Sequence, residues 1–187
     1  KHESSNPLRF YTNLIKYLGD DSLYIVRIED NDFIDVINNN NNTVANNTET
    51  QITDRIFQET LMREINKNIP DVIAVVLYDE KVGKLIKKNN YEINIHGKPI
   101  KYLLDSAIVR DTKRRHFCCT LTCNKVDMGF DGASFSRMSP FEWKNKINHD
   151  TEWTFENSVW KAPTQAQGQP ILWNFRKCYQ ILFYYRS

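Results

Sequence analysis

One run constrains the fold more than any other. Val72 to Tyr78 is apolar at almost every position and is set off from what precedes it by Pro70. A strand with one wet face alternates apolar and polar side chains, whereas a continuous apolar run of this length reads as a strand buried on both faces. Pro70 ends any helix before it, because its ring removes a backbone donor and clashes with the preceding turn.

From Val72 onward the texture is β. Lys84 to Ile95 carries one or two strands, the better one with Tyr91, Ile93 and Ile95 on one face. Tyr102 to Arg110 and His116 to Cys123 read as further strands. Asn124 to Asp127 reads as a hairpin turn and Met128 to Phe130 as its return, with Ala133 to Met138 continuing it. Cys178 to Arg186 is the last strand. Val72–Tyr78, Tyr102–Val109, His116–Cys123 and Tyr179–Tyr185 are expected to share one sheet. Ser139-Pro140 opens a short predicted helix through about Ile147, with Phe141, Trp143 and Ile147 as contacts. Thr151 to Trp173 holds three of the four Trp and reads as irregular chain anchored by aromatic side chains.

The N-terminal part is different. Leu8, Tyr11, Leu14, Ile15 and Leu18 recur at helical spacing, with Pro7 suited to the first turn and Gly19 to the stop. Leu23 to Ile28 reads as a strand, as does Phe33 to Ile37 more weakly. Thr53 or Asp54 caps a second expected helix running to about Asn66. Between them, Asn38 to Thr50 is Asn-rich and offers nothing to a core, so it reads as a mobile surface insertion. The expected class is α+β: a curled, mainly antiparallel sheet with a few peripheral helices. Residues 1–67 form a helical N-terminal part and residues 68–187 the β domain, packed as one unit.

Composition narrows the function classes. The formal net charge is +2, and the only dense basic run, Lys113-Arg114-Arg115, reads as a solvated turn, so no nucleic-acid partner is expected. No stretch approaches the ~20 apolar residues of a membrane span, and Lys1-His2-Glu3 is not followed by the apolar core of a signal peptide. Cys118, Cys119 and Cys123 fall on one expected strand with Cys178 far off, a poor arrangement for disulfides. A reduced, intracellular protein is expected. Structural zinc draws paired ligands from tight turns, as in C-x2-C. Cys118 and Cys119 instead point to opposite sheet faces, so no metal or cofactor is expected.

Two polar residues stand out. His116 follows a charged loop at the start of a strand, and imidazole titrates near neutrality, which suits a general base. Asp131 follows Gly129-Phe130 and precedes Gly132-Ala133-Ser134. A hairpin turning near Lys125 brings it close to His116, where a carboxylate fixes the imidazole tautomer and supports its charged form.

Five segments, in order, resemble the palm of the ubiquitin-specific proteases. Ile69 to Tyr78 looks like the strand that opens this half of the family's domain. Tyr102-Leu-Leu-Asp-Ser-Ala-Ile-Val-Arg-Asp resembles Y-x-L-x-A-V-x-x-H-x-G with the Ala one residue out of phase. His116-Phe117 resembles the G-H-Y box and Gly129-Phe130-Asp131 the W-x-x-F-D-D box. Cys178 to Arg186 resembles the closing A-Y-x-L-F-Y-x-R strand. The resemblance covers about residues 68–187. It implies a thiol deubiquitinase with His116 as base, Asp131 as orienting acid, and ubiquitin or a ubiquitin-like protein as partner.

The departures are definite. The family's Gly-Asn-Thr-Cys nucleophile box and the C-x-x-C pairs of its zinc fingers do not occur, and no Cys precedes His116. Arg115 stands where the family has Gly, Arg110 where it has His, and Met128 near its Trp. The implied nucleophile then lies on a segment outside these residues or on a companion chain, or the chain is a dead relative that binds a protein. The other reading is a structural or interaction protein, for example a virion component of a large DNA virus, with Trp143 to Trp173 as its docking surface.

Overall fold

A computed structural model describes residues 7–19, 23–28, 58, 69–78, 86–132, 137–164 and 170–187. The expected strand at Phe33–Ile37, the Asn38–Thr50 insertion and, apart from Gln58, the helix to Asn66 lie outside these residues, as does most of Ala133–Met138. In chain order, α1 spans Pro7–Leu18, β1 Leu23–Ile28, β2 Val72–Leu77, β3 Asn90–Ile95 and β4 Lys98–Arg110. β5 spans Phe117–Cys123, β6 Val126–Asp131, β7 Ser139–Pro140, β8 Glu152–Glu156, β9 Val159–Lys161, β10 Trp173–Asn174 and β11 Gln180–Arg186. The described residues are mostly β, and the sheet does not close into a barrel. Among them no helix is long and apolar enough to cross a membrane.

The larger sheet runs β1-β2-β11-β4-β5-β6-β7, with β3 also beside β4. Among the described strands only β1 and β2 pair in parallel. β2 lies between β1 and β11 and feeds two cores, as its unbroken apolar run requires. Ile73, Val75 and Leu77 enter the larger core, with Tyr91, Ile93 and Ile95 of β3 on the same side. Ala74 and Val76 enter the smaller one, beneath Leu8 of α1 and beside Tyr179 and Ile181. Full burial of each Val, Ile or Leu side chain among them contributes about 1.5–3 kcal/mol. α1 covers this second face only in part. Leu8 is buried and the Tyr11 ring sits 5.1 Å from that of Phe183, but Leu14 and Leu18 are exposed.

β4 organises the sheet. One edge pairs with β11 from Tyr102 to Val109, the ladder stepping over Asp105 in a bulge. The other edge is divided: β3 takes Lys98–Leu103 and β5 takes Ser106–Arg110. The expected strands at Val72–Tyr78, Tyr102–Val109, His116–Cys123 and Tyr179–Tyr185 thus share one sheet, with His116 standing just before β5.

Three hairpins share one turn design. His96-Gly97, Asn124-Lys125 and Asn157-Ser158 each link their strands in two residues, and all six residues have positive φ. That is the mirror-image turn whose twist matches the right-handed twist of the strands.

Two expectations are corrected. Ser139 to Ile147 is not an α-helix: Ser139-Pro140 pairs with β6 as β7, and a single 3-10 turn covers Trp143–Asn145. Phe141 and Trp143 are buried and Glu142 is exposed, a spacing of two that belongs to extended chain. Nor is Thr151–Trp173 wholly irregular. It contributes β8, β9 and Trp173 of β10, which form a second sheet in the order β10-β8-β9. This sheet packs its aromatics into the larger core: Phe141 stacks on Trp160 at 4.5 Å, and Trp160 meets Trp173 edge-on at 5.4 Å. Trp143 and Trp173 are fully buried, so these aromatics fill the interior and do not form a docking surface.

A buried cation lies in the same region. The Lys87 ammonium donates to the carbonyls of Phe175 (3.2 Å) and Arg176 (2.9 Å). Asn148 clamps the Lys87 backbone on both sides, accepting from its N–H and donating to its carbonyl at 2.8 Å each.

Candidate active site

The register of the β5–β6 hairpin positions both candidate residues. Its turn at Asn124-Lys125 sets Cys118 opposite Asp131, the last residue of β6. His116 precedes Cys118 by two residues, so it is the diagonal neighbour of Asp131 on that face, within reach of a long side chain. The two side chains meet through His116 Nε2 and Asp131 Oδ1. The carboxylate side is 5% exposed and the imidazole side 28%, so the ring has a buried anchor and an accessible flank.

This geometry fixes chemistry. In the neutral ring the proton sits on Nε2 and is donated to Asp131, which leaves the Nδ1 lone pair as the basic site. When the ring is protonated, the carboxylate stabilises the charge. Trp173 packs beside the imidazole, ring centroids 6.1 Å apart. The Thr112 N–H donates to the Leu172 carbonyl at 2.8 Å and ties the loop before His116 to that segment.

The same loop walls a polar cleft of about 560 Å³. Arg110, Asp111, Arg114, Asp150, Lys177 and Cys178 are among the residues that line it. The Arg110 guanidinium lies 4.9 Å from the Tyr179 ring centroid. Lys177 pairs with Asp150, which also accepts from the Asn174 carboxamide at 2.8 Å. These two bonds hold the exposed Asp150 carboxyl below its usual range.

Burial disfavours the thiolate at Cys118, Cys119 and Cys178. Burial pushes Cys118 well up, and the neighbouring Cys119 and Asp131 add to this. Burial also raises Cys119 and Cys178. A nucleophilic thiol requires the opposite, a positive or dipolar environment that favours thiolate. Cys178 shares the cleft with Asp111, whose negative charge adds to the effect of burial and leaves it a poor nucleophile. Cys118 is buried, Cys119 half-buried and Cys123, the last residue of β5, exposed. Among the described residues no group of three His, Cys, Asp or Glu could hold a metal ion.

Two neighbours of the site are not singled out by their sequence. Trp173 is far from His116 along the chain, and only the second sheet brings it there. Asp111 is 3% exposed and binds backbone amides of the loop ending at His116. An Asp opening a short polar loop between two strands is the signal that could have found it.

Compared with known protein families and with characterised proteins, the chain matches no family model and no curated protein.

Proposed function

We propose that this chain carries the base half of a ubiquitin-specific-protease-like site, with His116 as general base and Asp131 as the acid that orients it. The observation that carries the reading is the contact between His116 Nε2 and Asp131 Oδ1 at one end of the β5–β6 hairpin. The ordered sequence likeness over residues 68–187 supports it. A thiol brought to Nδ1 would pass its proton there and attack the carbonyl of a ubiquitin C-terminal amide. Asp131 would stabilise the imidazolium until it protonates the leaving amine. The described residues supply no such thiol. The chain therefore works with a nucleophile from elsewhere, or it has kept the pair and binds ubiquitin or a ubiquitin-like protein without cleaving it.

The chemical half of this reading is tested by turnover. The 187-residue chain is expected not to hydrolyse a ubiquitin C-terminal amide above background, because removing the nucleophile of a coupled triad forfeits nearly all its gain. Two matched samples, one alkylated at its thiols, are compared. Turnover that alkylation abolishes would show that Cys118, Cys119, Cys123 or Cys178 reaches His116, and would end the reading of these thiols as packing residues.

A further inference from the structure

We infer that Asp111 is the positioning residue of the site: its buried carboxylate gathers the backbone amides of Lys113, Arg115 and His116 and so fixes the point from which the imidazole reaches Asp131. This role takes the His116–Asp131 pair as the base half of the site, as proposed above.

Asp111 Oδ1 accepts from the N–H of His116 at 2.7 Å and of Arg115 at 2.5 Å, while Oδ2 accepts from Lys113 at 3.2 Å. The loop also closes through its backbone. The Asp111 N–H donates to the His116 carbonyl at 2.8 Å and the Arg114 N–H to the Asp111 carbonyl at 3.0 Å. Arg114 takes φ +60°, a conformation an L side chain resists, and the bonds to the carboxylate hold it there. A neutral acceptor would satisfy fewer of the converging donors. A carboxylate offers about four lone-pair sites, and its charge strengthens each bond.

The placement also suits the chemistry. The β4–β5 ladder ends at Arg110 opposite Phe117, so His116 is the first residue beyond it. Beyond the ladder, one backbone bond from the Asp111 N–H holds the His116 carbonyl, while the His116 N–H is held by the Asp111 carboxylate; without that carboxylate the His116 ring could swing away from Asp131. The carboxylate extends the order of the hairpin by one residue, to the residue that needs it. Asp111 itself does not touch the reacting atoms.

The test uses the intact chain and two readouts that depend on neither turnover nor ubiquitin. Amide hydrogen exchange should show the Arg115 and His116 N–H groups protected about 100-fold or more over free peptide in the wild type. Proton NMR at neutral pH should show a slowly exchanging His116 ring N–H. Asp111→Ala should lose the ring signal and cut both protections at least about tenfold, with the remaining spectrum intact. Asp111→Asn, which keeps one carbonyl oxygen, should restore most of the ring signal. If Asp111→Ala does not fold, wild-type exchange decides: unprotected Arg115 and His116 amides overturn the role. A ring signal that persists in Asp111→Ala but vanishes in Asp131→Asn also overturns it while leaving the pair standing. A wild-type ring signal indifferent to Asp131→Asn overturns the pair itself.

Discussion

Lys87→Met should exchange a pH-dependent cost for a pH-independent one. The Lys87 amine is almost fully buried, and burial, helped by nearby Arg176, lowers its pKa from 10.5 to about 7. A lysine whose folded pKa is depressed destabilises the fold. The penalty is fully present below the folded pKa and is relieved as pH rises toward the unfolded value. Between those two values the unfolded chain holds the proton and the folded chain has released it, so stability climbs with pH. Each tenfold difference in proton affinity between the two states corresponds to about 1.4 kcal/mol, so the penalty is about 4 kcal/mol at pH 7 and about 2 kcal/mol at pH 9. Met keeps the volume and loses the bond to the Arg176 carbonyl, a loss of about 1 kcal/mol. The Phe175 carbonyl retains its bond from the Gln180 carboxamide at 3.0 Å. The variant should therefore be more stable than wild type by about 3 kcal/mol at pH 7, and the advantage should shrink by about 2 kcal/mol at pH 9. Urea unfolding of both proteins at pH 7, 8 and 9 with equal m-values reads this directly. Taking the difference cancels the buried tyrosines and cysteines, which titrate in both proteins. An advantage constant across that range would refute the reasoning, because Lys87 would then titrate as it does in water.

Gly129→Ala should destabilise the protein by about 1–3 kcal/mol by urea midpoint, because an added Cβ would overlap the Trp160 indole nitrogen; an unchanged midpoint would mean that the indole does not pack there. Lys125→Gly should raise stability by about 1 kcal/mol, since Lys125 sits at φ +66° in a two-residue hairpin turn, and a lower midpoint would contradict that turn type. Of the four thiols, exposed Cys123 should react first with an aromatic disulfide reagent and buried Cys118 only on unfolding, so a fast Cys118 in the native state would refute its burial.

Legibility in the sequence depends on period. Val72–Leu77 can be placed between two layers because its apolar residues do not alternate, and Tyr91, Ile93 and Ile95 can be assigned one face because theirs do. The meeting of His116 and Asp131 follows from locating one turn, since register fixes every pair beyond it. The second sheet is hidden because its strands are short and their aromatics crowd the same core, so no clean alternation survives. Asn157-Ser158 is a turn pair of the same kind as Asn124-Lys125, but its flanking Trp and Phe residues read as anchors and not as strands. Ser139-Pro140 points to a helix over Phe141 and Trp143, although their spacing of two is that of extended chain. Asp111 escapes notice for another reason. A side chain that binds backbone amides leaves no periodic trace, and only its position at the opening of a loop marks it.

The proposed function stands or falls on whether the His116–Asp131 pair faces a ubiquitin tail. The most direct measurement follows the His116 ring resonances of the 187-residue chain during titration with ubiquitin, and in parallel with ubiquitin truncated at its C-terminal tail. Intact ubiquitin should shift the His116 ring saturably at micromolar to millimolar concentration, and the truncated form should leave it unmoved. A ring that responds to neither protein, or equally to both, would contradict the assignment of this site to a ubiquitin C-terminus.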